Sequence, residues 1–132
     1  MNKRYINLFK EIAKATAISA EQVMDYDKEK KDEEGYKTAE IMRDDFNNLL
    51  ERITAAGEDY KVDKADCAKL TIGAFVIAEQ LEGQISLRRK AIEGYRNDLI
   101  PKLQKLLDTS DESFEELMEK SFSIEEEPNT WL

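Results

Sequence analysis

The stretch LTIGAFVIAEQLEGQISLRRKAIEGYRNDLIPKLQKL, residues 70–106, decides the fold. Leu70, Ala74, Ile77, Leu81, Ile85, Arg88, Ile92, Tyr95, Leu99, Leu103 and Leu106 fall within roughly an 80° arc when turned about 100° per residue. Arg88 is the only polar member of that stripe. The period is helical, so the apolar run from Leu70 to Ala78 reads as helix rather than strand. Continuous phase predicts a third helix unbroken from a cap at Asp63 to about Asp108. Gly83, Gly94 and Pro101 all project opposite the stripe, where a solvated face tolerates them and the proline bends the helix gently. The alternative is a break near Gly83, with the chain doubling back into a four-helix bundle.

Upstream, two further helices are expected. Tyr5, Phe9, Ile12, Thr16, Ala20 and Val23 share one face of the first, with Leu8 and Tyr26 at its edge. The phase persists through Ser19-x-x-Gln22, a capping-box pattern, so the helix should continue across it. The charged run Asp27–Glu34 then leads into a turn at Gly35. The second helix takes Thr38 as cap and Met42, Phe46, Leu49, Ile53 and Ala56 as apolar face, and Gly57 ends it. A polar connection, Glu58 to Val62, follows. A short helix near Glu112–Lys120 presents Phe114, Leu117 and Met118. The domain is therefore residues 1–120, an all-α antiparallel bundle of three long helices and a short C-terminal one, with an acidic mobile tail over 121–132.

Composition agrees. Of 132 residues, 37% are charged, against five glycines and two prolines. A formal charge of −9 repels phosphate backbones, which argues against direct nucleic-acid binding. No apolar run approaches the ~20 residues a membrane span requires. The single cysteine, Cys67, forms no disulfide within the chain and points to a reducing, cytoplasmic setting. It reads as a small buried hydrophobe.

Catalytic chemistry lacks its usual carriers. There is no histidine, which removes His-based nucleophile activation and His-ligated zinc. Glu29-x-x-Asp32, Glu112-x-x-Glu115 and Glu116-x-x-Glu119 stand in the wrong order and place for a helical magnesium site. Asp25-x-Asp27-x-Glu29 begins like a calcium loop but has Lys30 where glycine is needed and Tyr36 where the closing glutamate belongs. These expectations assign no catalytic, cofactor or metal residue.

The length of the third helix carries the functional expectation. Beyond about Gln84 its stripe would have no long partner in its own chain. A second copy would shelter Ile85, Arg88, Ile92, Tyr95, Leu99, Leu103 and Leu106, giving a homodimer. Arg88 would lay its stem along the seam with its guanidinium in water; the alternative pairs it with a carboxylate of the partner helix, fixing register. The tail residues Phe122, Ile124, Trp131 and Leu132 are candidates for docking on another protein. The function expected is thus a non-enzymatic, cytoplasmic protein-interaction module. An acidic nucleic-acid mimic is the alternative, and a carboxylate-metal enzyme the third.

Overall fold

A computed structural model describes residues 3–82, 89–108 and 114–121. All elements there are helical, and no strand occurs among the described residues. Helix α1, Lys3–Glu29, contains neither glycine nor proline and runs straight through Ser19. It buries Tyr5, Phe9, Ile12, Thr16 and Ala20 as expected, together with Ile6, Leu8, Ala13, Ala17 and Met24. Val23 and Tyr26 instead stand 48% and 60% exposed. The first turn of the chain comes earlier than Gly35. Lys31 adopts φ 58°, the left-handed region, and the Asp32 N–H closes on the Asp27 carbonyl at 2.8 Å. Asp32 then caps α2, Glu33–Ala56, accepting from the Gly35 N–H at 3.0 Å. Thr38 is an interior residue whose hydroxyl donates back to the Glu34 carbonyl.

Phe46, Leu49 and Ile53 are the buried face of α2, and Gly57, at φ 57°, ends the helix by donating to the Ile53 carbonyl. The connection to the next helix is less polar in behaviour than in composition. A 3₁₀ turn, Gly57–Asp59, delivers Tyr60 and Val62 into the core at 5% and 1% exposure. Helix α3, Lys64–Glu82, starts where Asp63 accepts the Asp66 N–H at 2.8 Å. Its outer face stays wet: Ile72 is 50% and Phe75 44% exposed, so α3 is not buried all round as its composition suggests.

The continuous third helix does not form. In an unbroken helix Cys67 and Leu103 would be about 54 Å apart, yet the Cys67 thiol donates to the Leu103 carbonyl at 3.6 Å. Arg96 grips Glu82 at 2.9 and 2.7 Å. Rising numbers on one arm meet falling numbers on the other, so the arms are antiparallel. The four-helix alternative is the arrangement adopted: α3 runs to Glu82 and the antiparallel arm is described from Arg89, while Gly83, the expected break, lies outside the described residues.

The returning arm comprises α4, Arg89–Gly94, a π-helical turn over Tyr95–Leu99, and α5, Ile100–Leu107. The wide turn has a local cause. Pro101 donates no hydrogen bond, and its ring would collide with the carbonyl four residues back. Inserting one residue into the turn pairs the Ile100 N–H with the Tyr95 carbonyl instead. The insertion also shifts the buried face, which is Ala91, Gly94 and Tyr95 before the turn and Leu99, Ile100, Leu103 and Leu106 after it. Of the expected trio, helix α6, Phe114–Ser121, buries Phe114 and Met118 in the same core and packs Leu117 half-buried against it. One continuous apolar cluster thus joins α1, α2, α3, the returning arm and α6. Residues 122–132 lie outside the described ones.

Candidate functional site: a groove above the end of α3

The expected dimer seam is largely internal. Tyr95, Leu99, Leu103 and Leu106 are 1%, 0%, 0% and 2% exposed within a single chain, and Ile92 is half-buried. This corrects their assignment to a face shared with a second copy: the returning arm lies against α3 of its own chain, and the reason for requiring that copy goes with it. Ile85 and Arg88 fall outside the described residues, as do the tail candidates Phe122, Ile124, Trp131 and Leu132.

A different surface is left open. Gly73 of α3 sits against Ile12 and Thr16 of α1, and further up Gln80 donates to Ser19. The two helices therefore ascend in parallel, while α2 descends beside α1. Only residues 81–82 of α3 follow Gln80, whereas residues 20–29 of α1 follow Ser19. At 1.5 Å per residue, the α1–α2 hairpin stands about 12 Å, two helical turns, above the described end of α3. The seat that α3 fills lower down continues upward as an open groove of about 1020 Å³.

Each wall of this groove has a simple origin. Ala20 and Ala39 are small and buried at its base, and Met42 lies half-buried beside them. Val23 and Tyr26 extend the apolar lining upward on α1, and Val76, Glu79 and Gln80 close its lower end from α3. Gly35 keeps the α2 wall thin. A Cβ there would lie 2.6 Å from Asp27 Oδ2 and 2.7 Å from Asp32 Oδ2, so a side chain would displace both carboxylates. Lys30 rests over the Tyr26 ring, 5.8 Å from its centroid. Sequence reasoning placed Val23 on a core face. Its place on α1 beyond the level of the described end of α3 makes it groove lining.

A second polar cluster joins α2 to α3. Asp66, 3% exposed, accepts from both terminal nitrogens of Arg52 at 2.7 and 2.8 Å and from the Tyr60 hydroxyl at 2.7 Å. Burial pushes its carboxyl up, but the hydrogen bonds from Arg52 and Tyr60 outweigh that and hold it below the usual carboxylate value. Burial and the Asp66 carboxylate together push the Tyr60 phenol up. The trio staples the end of α2 to the start of α3. Burial likewise pushes the Cys67 thiol up to about 11, the opposite of an activated nucleophile. Among the described residues, no group of three or more Cys, Asp or Glu is placed to hold a metal ion, and no helix is long and apolar enough to cross a membrane.

Comparison with known proteins adds no family: no family model, curated protein or solved structure matches this chain.

Proposed function

We propose that this chain is a non-catalytic helical module that binds another protein by seating one of its helices in the groove between α1 and α2. The observation that carries the reading is the groove itself, which continues the cradle of α3 about two turns past Glu82, its last described residue. A helix laid there would extend the line of α3 and cover Val23 and Tyr26, which are 48% and 60% exposed. Grooves of this kind accept an apolar stripe spaced i, i+3/i+4, i+7. Pairing of two copies along residues 85–106 has no part in this reading, since Tyr95, Leu99, Leu103 and Leu106 already sit in their own core.

The test is a titration of the isotopically labelled protein with an uncharged amphipathic helix, leucine on one face and glutamine and serine on the other. Amide shifts confined to Val23, Ala39, Met42 and Val76 are expected, and Val23→Glu should suppress them. Shifts confined to other surfaces, or none at millimolar peptide, overturn the proposal.

A further inference from the structure

We infer that the segment seated in this groove is cationic: a partner helix with an apolar stripe flanked by lysine or arginine. The inference rests on the groove being a docking site and adds the chemistry of its occupant. Four carboxylates line the groove, Asp27, Asp32, Glu34 and Glu79, and no lysine or arginine does so among the described residues. That imbalance is local. The hairpin carries Lys28, Lys31 and Lys37 as well, but these line the separate hollow around its turn, which shares Asp27 and Asp32 with the groove. Lys28, Lys31 and Lys37 thus stay out of the groove lining, and Lys30 sits over the Tyr26 ring at its edge.

Two of the carboxylates also converge. Asp27 Oδ2 and Asp32 Oδ2 both lie within 2.7 Å of the point a Gly35 Cβ would occupy, so two acids meet at one wall. Asp27 is only 9% exposed, and neither it nor Asp32 forms an ion pair with a described residue. Asp32 uses Oδ1 to cap α2, leaving Oδ2 at the groove. Glu34 is exposed, and Glu79 lies near Arg96, whose guanidinium is already bound to Glu82. Like charges at close range raise one another's free energy, and an arriving cation relieves that repulsion. The apolar floor supplies contact area, and the acidic rim selects sign and orientation. The acidic tail over 121–132 has the wrong charge for the position.

Three synthetic helices of about five turns test the inference. They share one leucine face and carry lysine, glutamine or glutamate on the other, and affinity is read by fluorescence anisotropy. The lysine peptide should bind about tenfold or more tighter than the glutamine peptide, with the glutamate peptide weakest, because each exposed charge pair contributes a factor of about two to five. The spread should shrink toward unity at high salt. Reversal at two exposed rim positions, Glu34→Lys with Glu79→Lys, should invert the order of the lysine and glutamate peptides. Glu34→Gln with Glu79→Gln, which keeps size and adds no like charge, should bring the three affinities together.

Equal affinities for the three peptides, all lost in Val23→Glu, would overturn the cationic inference and leave the docking groove standing. No binding by any peptide would remove both. Tighter lysine-peptide binding after Ile85→Ser with Leu87→Ser would show that the chain's own segment occupies the groove, overturning the inference. Self-association of the free protein, relieved by Val23→Glu, would assign the groove to a second copy and overturn it equally.

Discussion

Replacing Gly73 with alanine sets two calculable effects against each other. In a helix interior the change gains about 1 kcal/mol from backbone entropy. At Gly73 the added Cβ would lie 2.7 Å from Ile12 Cγ2, 2.9 Å from Thr16 Oγ1 and 3.2 Å from Phe46 Cε1. Carbon–carbon contacts settle at about 3.5–4.0 Å, so the Ile12 methyl would have to retreat by roughly 1 Å. None of the three neighbours is free to move. The Ile12 methyl branches directly from a buried helix, the Thr16 hydroxyl is held to the Ile12 carbonyl at 2.7 Å, and Phe46 is 3% exposed. Overpacking of this kind costs about 1–3 kcal/mol, so a net loss of up to about 2 kcal/mol is expected. Urea unfolding should show a lower midpoint at unchanged slope. Moving the branch with Ile12→Leu should recover part of the loss in the double variant, a coupling that independent sites would not show. A Gly73→Ala protein as stable as its parent, or more so, would mean that α3 does not lie this close to α1, and the account of the groove as a continuation of its seat would fall.

Two other outcomes follow from the same packing. Leu103→Ala, at a fully buried position, should cost about 2–5 kcal/mol, with a thermal midpoint independent of protein concentration. A midpoint that rises with concentration would return Leu103 to an interface between copies. Asp66→Asn should cost about 1–3 kcal/mol at neutral pH, toward the lower figure because the Arg52 side chain is 42% exposed. The Asp66 carboxyl is held below its ordinary value in the folded chain. Its contribution is therefore present above the unfolded value of about 3.9 and lost as pH falls through the folded one. Parent and variant should converge in stability in that acid range, and a gap that persists there would refute the assignment.

Local signals in the sequence read well. The phase held across Ser19 describes α1, Asp63 and Gly57 mark helix ends by their capping chemistry, and Phe114 and Met118 share the buried side of α6. Direction was not legible. An apolar stripe reports which side of a helix faces inward, and both arms of a helical hairpin face the same core. Leu70–Leu81 and Tyr95–Leu106 can therefore share one phase while running in opposite directions. The cap of α2 is hidden in the sequence because Asp32 lies inside a charged run, where a side chain that accepts one backbone N–H looks like any other solvated acid. The burial of Tyr60 is hidden in a connection that reads as polar because its hydroxyl is satisfied by Asp66, which the connection does not contain. The groove had no sequence signal at all. It arises from the α1–α2 hairpin reaching beyond the described end of α3, which depends on how the helices align in space and not on their patterns.

The wide turn at Tyr95–Leu99 ties two features of the chain together. Its surplus residue absorbs the proline at 101, and the proline is what makes a surplus residue tolerable there. A homologue without that imino acid is free to be one residue shorter between Tyr95 and Leu99 and still direct Ala91 and Leu103 to the same interior. A homologue that keeps the proline but loses the residue has to bend or unwind. Length and composition at this spot should therefore change together among sequences that share the fold.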